Sequence, residues 1–188
     1  MVKRPPARSR ASQRGTSMIE VLVTMIILVI GLLGLAGLQA RLQSSEMEAY
    51  QRAQALVLLN DMASRIATNR SKAEDYVTGT DAPLGVDMAC STSTASRQES
   101  DAGDWCRALQ GEGETLGNSS VGAMVGGRGC VEDLGSGEYL VTVAWQGLTP
   151  ISAPSPACGQ NRYNGGTACT GDLCRRVITT VVRIGNLT

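Results

Sequence analysis

Histidine and phenylalanine are both missing from this chain of 188 residues. Without histidine there is no Ser-His-Asp or Cys-His arrangement, and the commonest general base and metal ligand are gone together. Net charge is also missing: 17 basic residues balance 17 acidic ones. The balance hides an asymmetry, because Lys3, Arg4, Arg8, Arg10 and Arg14 all precede Gly15, leaving 12 basic against 17 acidic residues after it. An acidic body lacks the basic stripe of a duplex reader, so no nucleic-acid partner is expected. The six cysteines include no C-x₂-C pair, which argues against a zinc site. Asp81, Asp87, Glu99, Asp101 and Asp104 lack the spacing of a calcium loop and read as a solvated acidic surface. No catalytic residue, metal or cofactor is therefore expected, and the chain does not read as an enzyme.

Proline is missing between Pro6 and Pro83, and that stretch holds the chain's strongest signal. An almost unbroken apolar run from Val21 to Leu38 is long enough to span a bilayer. Immediately before it stands one carboxylate, Glu20, whose burial in a membrane costs roughly 2.5–3.5 kcal/mol. The run could be an ordinary secretory signal cut near Gly34-Leu35-Ala36, or a plain signal anchor, but neither gives Glu20 a reason to be there. The basic cluster before Glu20 orients the span with its N-terminus in the cytoplasm and the cysteine-bearing part facing the periplasm or the exterior.

The run Gly15-Thr16-Ser17-Met18-Ile19-Glu20, with its basic leader and apolar sequel, resembles the class III signal of type IV pilins and type II secretion pseudopilins. More narrowly, Ser17–Val23, Gly31-Leu32-Leu33-Gly34-Leu35, Leu38-Gln39 and Asp61–Ile66 with Asn69 resemble the PilV group of minor pilins. The resemblance implies cleavage after Gly15 by a prepilin peptidase, N-methylation of the new terminus Thr16, and pairing of Glu20 with the amine of a neighbouring subunit. It also implies other minor pilins and the major pilin as partners, with passage from the inner membrane to the pilus and cell surface. The implied fold is α+β, a pilin-like roll with a long N-terminal helix on a small antiparallel sheet. Thr16 departs from the large apolar residue that the family places after the glycine. Two rivals remain: a minor pseudopilin with the same helix, and a membrane-anchored adhesin or binding module that keeps residues 1–15.

Four segments follow: a leader at 1–15, a transmembrane and assembly half-helix at 16–40, an amphipathic second half at 41–70, and an exported globular domain at 71–188. The periodicity predicts one helix from about Ser17 to about Asn69, roughly 80 Å at ~1.5 Å per residue. Ala55, Leu59, Met62 and Ile66 form a stripe suited to packing on a globular body. Gly31, Gly34 and Gly37 mark either a locally meltable segment or a close helix contact.

The region 71–188 holds 18 of the 22 glycines, so loops dominate. A short helix is predicted from Asp101, as cap, to Gln110, with Trp105 and Leu109 on one face. In Glu138–Gln146, Tyr139, Val141, Val143 and Trp145 alternate as one buried face, and Gly129–Asp133 can pair with that strand as a hairpin. Arg175–Ile184 is a further strand, giving a sheet of three or four, with Arg175-Arg176 read as a solubility feature at its edge. Cys90, Cys106, Cys130, Cys158, Cys169 and Cys174 read as disulfides of an oxidising compartment. Their 15 possible pairings stay open, although nearness suggests Cys90 with Cys106, Cys130 with Cys158, and Cys169 with Cys174.

Overall fold

The computed structural model describes residues 17–113, 115–116, 119–120 and 124–185. The chain divides into two compact units, one ending at Gln43 and the other covering Ser44–Thr188. Helix α1, Met18–Thr68, supplies the described part of the first unit and the first element of the second. Its start is fixed by Ser17, whose Oγ accepts from the Glu20 amide at 3.3 Å. That satisfies one of the donors orphaned at a helix N-terminus. From Ser17 to Gln43 every residue is exposed, and the helix is long and apolar enough to cross a membrane.

The second unit is α+β. After α1 come a 3₁₀ segment at Arg70–Tyr76, strand β1 (Leu84–Gly85), helix α2 (Arg97–Leu109), the paired strands β2 (Thr115–Leu116) and β3 (Ser119–Ser120), then β4 (Arg128–Gly135), β5 (Glu138–Gln146), a second 3₁₀ segment at Thr167–Asp172, and β6 (Arg175–Arg183). Four of the strands form an antiparallel sheet in the order β1-β4-β5-β6. The β4–β5 hairpin turns at Gly135-Ser136-Gly137, three consecutive residues with φ of 85°, 56° and 75°. Two glycines there let the chain reverse without a steric penalty.

The stripe Ala55, Leu59, Met62 and Ile66 is buried, and it packs with Trp105 and Leu109 against Val131, Tyr139, Val141, Val143, Trp145 and Val182. The Trp105 indole N–H donates to the Leu58 carbonyl at 2.9 Å, tying α2 to α1. Gln51 extends the stripe one turn toward the N-terminus and is equally buried.

The sheet is covered on both faces, where alternation in β5 suggests only one. On the far side Cys130, Ala144, Cys158 and Tyr163 form a second cluster beneath the long connection between β5 and β6. Ala144 and Thr142, which alternate with the apolar set, are therefore fully buried too. The connection has no regular periodicity, so its packing role is not visible in its own residues.

Helix α2 starts four residues before the predicted cap. Ser96 is the N-cap, its Oγ accepting from Glu99 N at 3.1 Å. Asp101 lies inside the helix and is buried.

Candidate functional site

Of the residues expected to carry function, Gly15 and Thr16 lie outside the described residues. Glu20 sits in the first turn of α1 with its side chain exposed. A carboxylate there faces the positive end of the helix dipole, and Ser17-x-x-Glu20 is a capping-box pattern. Ser17 is thus a site residue that sequence reading passed over, although its local signal was present. Gly31, Gly34 and Gly37 lie inside unbroken α1, and among the described residues nothing besides the adjoining residues and the helix's own backbone comes within 4 Å of where a Cβ would stand on any of them. The small residues leave a shallow path along the helix that no described residue fills.

All six cysteines are paired, as Cys90–Cys106, Cys130–Cys158 and Cys169–Cys174. Cys90–Cys106 fastens α2 to the loop before it. Cys130–Cys158 fastens the β5–β6 connection to β4, and Cys169–Cys174 closes a small loop just before β6. Among the described residues, no group of three or more acidic or cysteine side chains is placed to hold a metal ion.

Several charged residues of the globular unit are engaged in structure. Asp101 accepts from Arg65 at 2.7 Å and from the Tyr76 hydroxyl at 2.6 Å, while Asn69 donates to the Tyr76 oxygen at 3.0 Å. Arg65 also holds Asp61 at 2.9 Å. This network joins the end of α1, the first 3₁₀ segment and α2. Burial alone would lower the Arg65 pKa, but its bonds to Asp61 and Asp101 outweigh that and the net shift is upward. Burial raises the Tyr76 pKa, helped by its bond to Asp101 and opposed by Asn69.

Arg175 is buried, not a solubility feature at the strand edge. Its guanidinium donates to the carbonyls of Pro154, at 3.0 Å, Pro156 and Cys158, at 3.1 Å, and its Nε lies 3.2 Å from Asp172. Five fixed donors suit a cluster of loop carbonyls, which a lysine could not match. Arg176 reaches Glu48 of α1 at 3.2 Å, and the same carboxylate oxygen accepts from Leu148 N at 3.2 Å. The reading of a solvated acidic surface likewise fails for Asp101, whose charge is buried among partners. Its partner Arg65 is 36 residues away, a separation that no local pattern reveals.

Tyr163 completes the second cluster. Its hydroxyl donates to Gly126 O at 2.8 Å, and the Arg128 guanidinium lies 5.0 Å from its ring centroid. Burial pushes its pKa up, with Arg128 opposing.

The chain has no match among protein-family models, curated proteins or solved structures. A functional reading therefore rests on its own residues.

Proposed function

We propose that the chain is a minor type IV pilin of PilV type, an inner-membrane precursor that loses residues 1–15 and joins other minor pilins in a complex that primes or caps pilus assembly. Its globular unit is then a pilin-like roll, and its action is assembly without catalysis. The observation that carries the reading is Glu20, the one carboxylate at the head of an exposed apolar helix, five residues after Gly15 and a basic leader.

Cleavage after Gly15 frees an α-amino group on Thr16. In an apolar fibre core the Glu20 carboxylate of one subunit meets the amine of the next, and each offsets the desolvation of the other. Methylation of that amine keeps its positive charge. The open path at Gly31, Gly34 and Gly37 supports the same reading, because small residues let neighbouring helices approach closely.

Glu20→Ala tests the pairing. The variant loses a side chain that costs a few kcal/mol in lipid, so it inserts normally. It strands the neighbour's amine at a cost of about 3–5 kcal/mol, so assembly fails. The readout is co-purification with other minor pilins and the number of surface pili, and normal levels of both would refute the mechanism.

A further inference from the structure

Among the described residues, strand β6 has a partner on one side only. Which of its backbone groups are free follows from its two ends: Gly147 N–H donates to Cys174 O at 2.7 Å, and Ile184 N–H donates to Gly137 O at 2.8 Å. Antiparallel pairs alternate between bonded and non-bonded positions. The even-numbered residues of β6 therefore bond to β5, and Val177, Thr179, Val181 and Arg183 turn their N–H and C=O groups to the open edge. Among the described residues nothing donates to or accepts from these groups. Thr179, Val181 and Arg183 also have exposed side chains.

The edge carries a cation at each end. At the Val177 end, a groove of about 640 Å³ is lined by, among others, Glu48, Ala49 and Arg52 of α1 and Arg176, Val177 and Ile178 of β6. Arg52 forms no ion pair among the described residues, whereas Glu48 beside it is occupied by Arg176, Leu148 and Thr149. At the other end stands Arg183, exposed, whose one ion pair among the described residues is through its Nε with Glu138 at 2.7 Å. Two copies of β6 aligned antiparallel about Thr179 would place Arg183 of each beside Arg175 and Arg176 of the other. That pairing offers Arg183 no carboxylate, whereas a partner strand with an acidic end does.

We propose that the open edge of β6 accepts an extended strand from a different protein, with alternating apolar and small polar side chains and a carboxylate near each end. Main-chain bonds to the odd-numbered residues supply the affinity, and the terminal carboxylates facing Arg52 and Arg183 supply orientation and choice of partner. The proposal concerns the globular unit and does not depend on the pilin reading.

The probe is the capped peptide Glu-Val-Thr-Val-Thr-Val-Glu, with a counterpart carrying lysine in place of glutamate, each titrated against the full chain in lipid nanodiscs. The glutamate peptide should bind and slow amide exchange at Val177, Thr179 and Val181, with the lysine peptide weaker by about tenfold or more. Thr179→Pro removes one outward-facing donor and spares the ladder to β5, so it should weaken binding by about tenfold. Arg52→Glu should erase the preference between the two peptides. Equal affinity for both peptides, no binding of the glutamate peptide, protection outside β6, or self-association through β6 would each overturn the proposal. If Thr179→Pro does not fold, exchange measured on the native chain decides the matter.

Discussion

Trp105 packs on Gly129 so closely that a Cβ on Gly129 would fall 2.1 Å from the indole Cη2. A central strand residue without a side chain is what lets α2 bring its largest side chain down onto β4 and still reach Leu58 O with its N–H.

Gly129→Ala should therefore displace Trp105 and loosen the joint between α2, α1 and the sheet. Overpacking of this kind costs ~1–3 kcal/mol, with the broken indole bond adding about 1 more. Thermal unfolding followed by tryptophan fluorescence should show a lowered midpoint and altered emission, whereas Gly113→Ala, at an open position, should show neither.

The disulfides should differ in worth according to the loops they close. Sequence separations of 28, 16 and 5 residues correspond to roughly 3.6, 3.1 and 2.2 kcal/mol by loop entropy, for Cys130–Cys158, Cys90–Cys106 and Cys169–Cys174 in turn. Paired Cys→Ser variants compared by denaturant midpoint should fall in that order. Intact mass should rise by about two daltons per bridge on reduction, and a protein taken from its native compartment with six free thiols would remove the argument from redox environment.

Arg175→Ala should release the connection between β5 and β6. It removes the donors for three carbonyls and strands the buried Asp172, a change in the range of 3–5 kcal/mol. Limited proteolysis should begin within 150–174, and Arg175→Lys should restore little of the protection because it cannot serve three carbonyls at once.

Alkaline pH should weaken the fold through Tyr163. Burial raises its folded pKa above the unfolded value of about 10. The stabilisation is complete below the unfolded pKa and is lost as pH rises through the folded one. Tyrosinate absorbance should show delayed ionisation in the native chain, and Tyr163→Phe should flatten the alkaline loss of stability while costing about 1 kcal/mol for the bond to Gly126.

Elements with a period were readable from the residues. The α1 stripe, the inward set Tyr139, Val141, Val143 and Trp145 of β5 and the Gly135-Ser136-Gly137 reversal each carry a local pattern that the structure follows. The true start of α2 was also written locally, in Ser96-x-x-Glu99, and was obscured by the acidic residue at Asp101. Asp101 and Arg175 could not be read because their partners arrive by tertiary folding: Arg65 from the end of α1, and loop carbonyls that carry no side-chain signature. The covering of the second sheet face was hidden for the same reason, since irregular loops bury surface without periodicity. Glu20 stood out in the sequence because a charge at the head of an apolar run is costly in a membrane, a cost that its place in the first turn of the helix does not remove.

The mature N-terminus, determined by mass spectrometry on protein from its native host, tests the assembly account most directly. The account predicts a chain beginning at Thr16, methylated on its amino group, with residues 1–15 gone. A chain that still begins at Met1, or one that begins at Ser17 or beyond, for instance at Gly37, would contradict it.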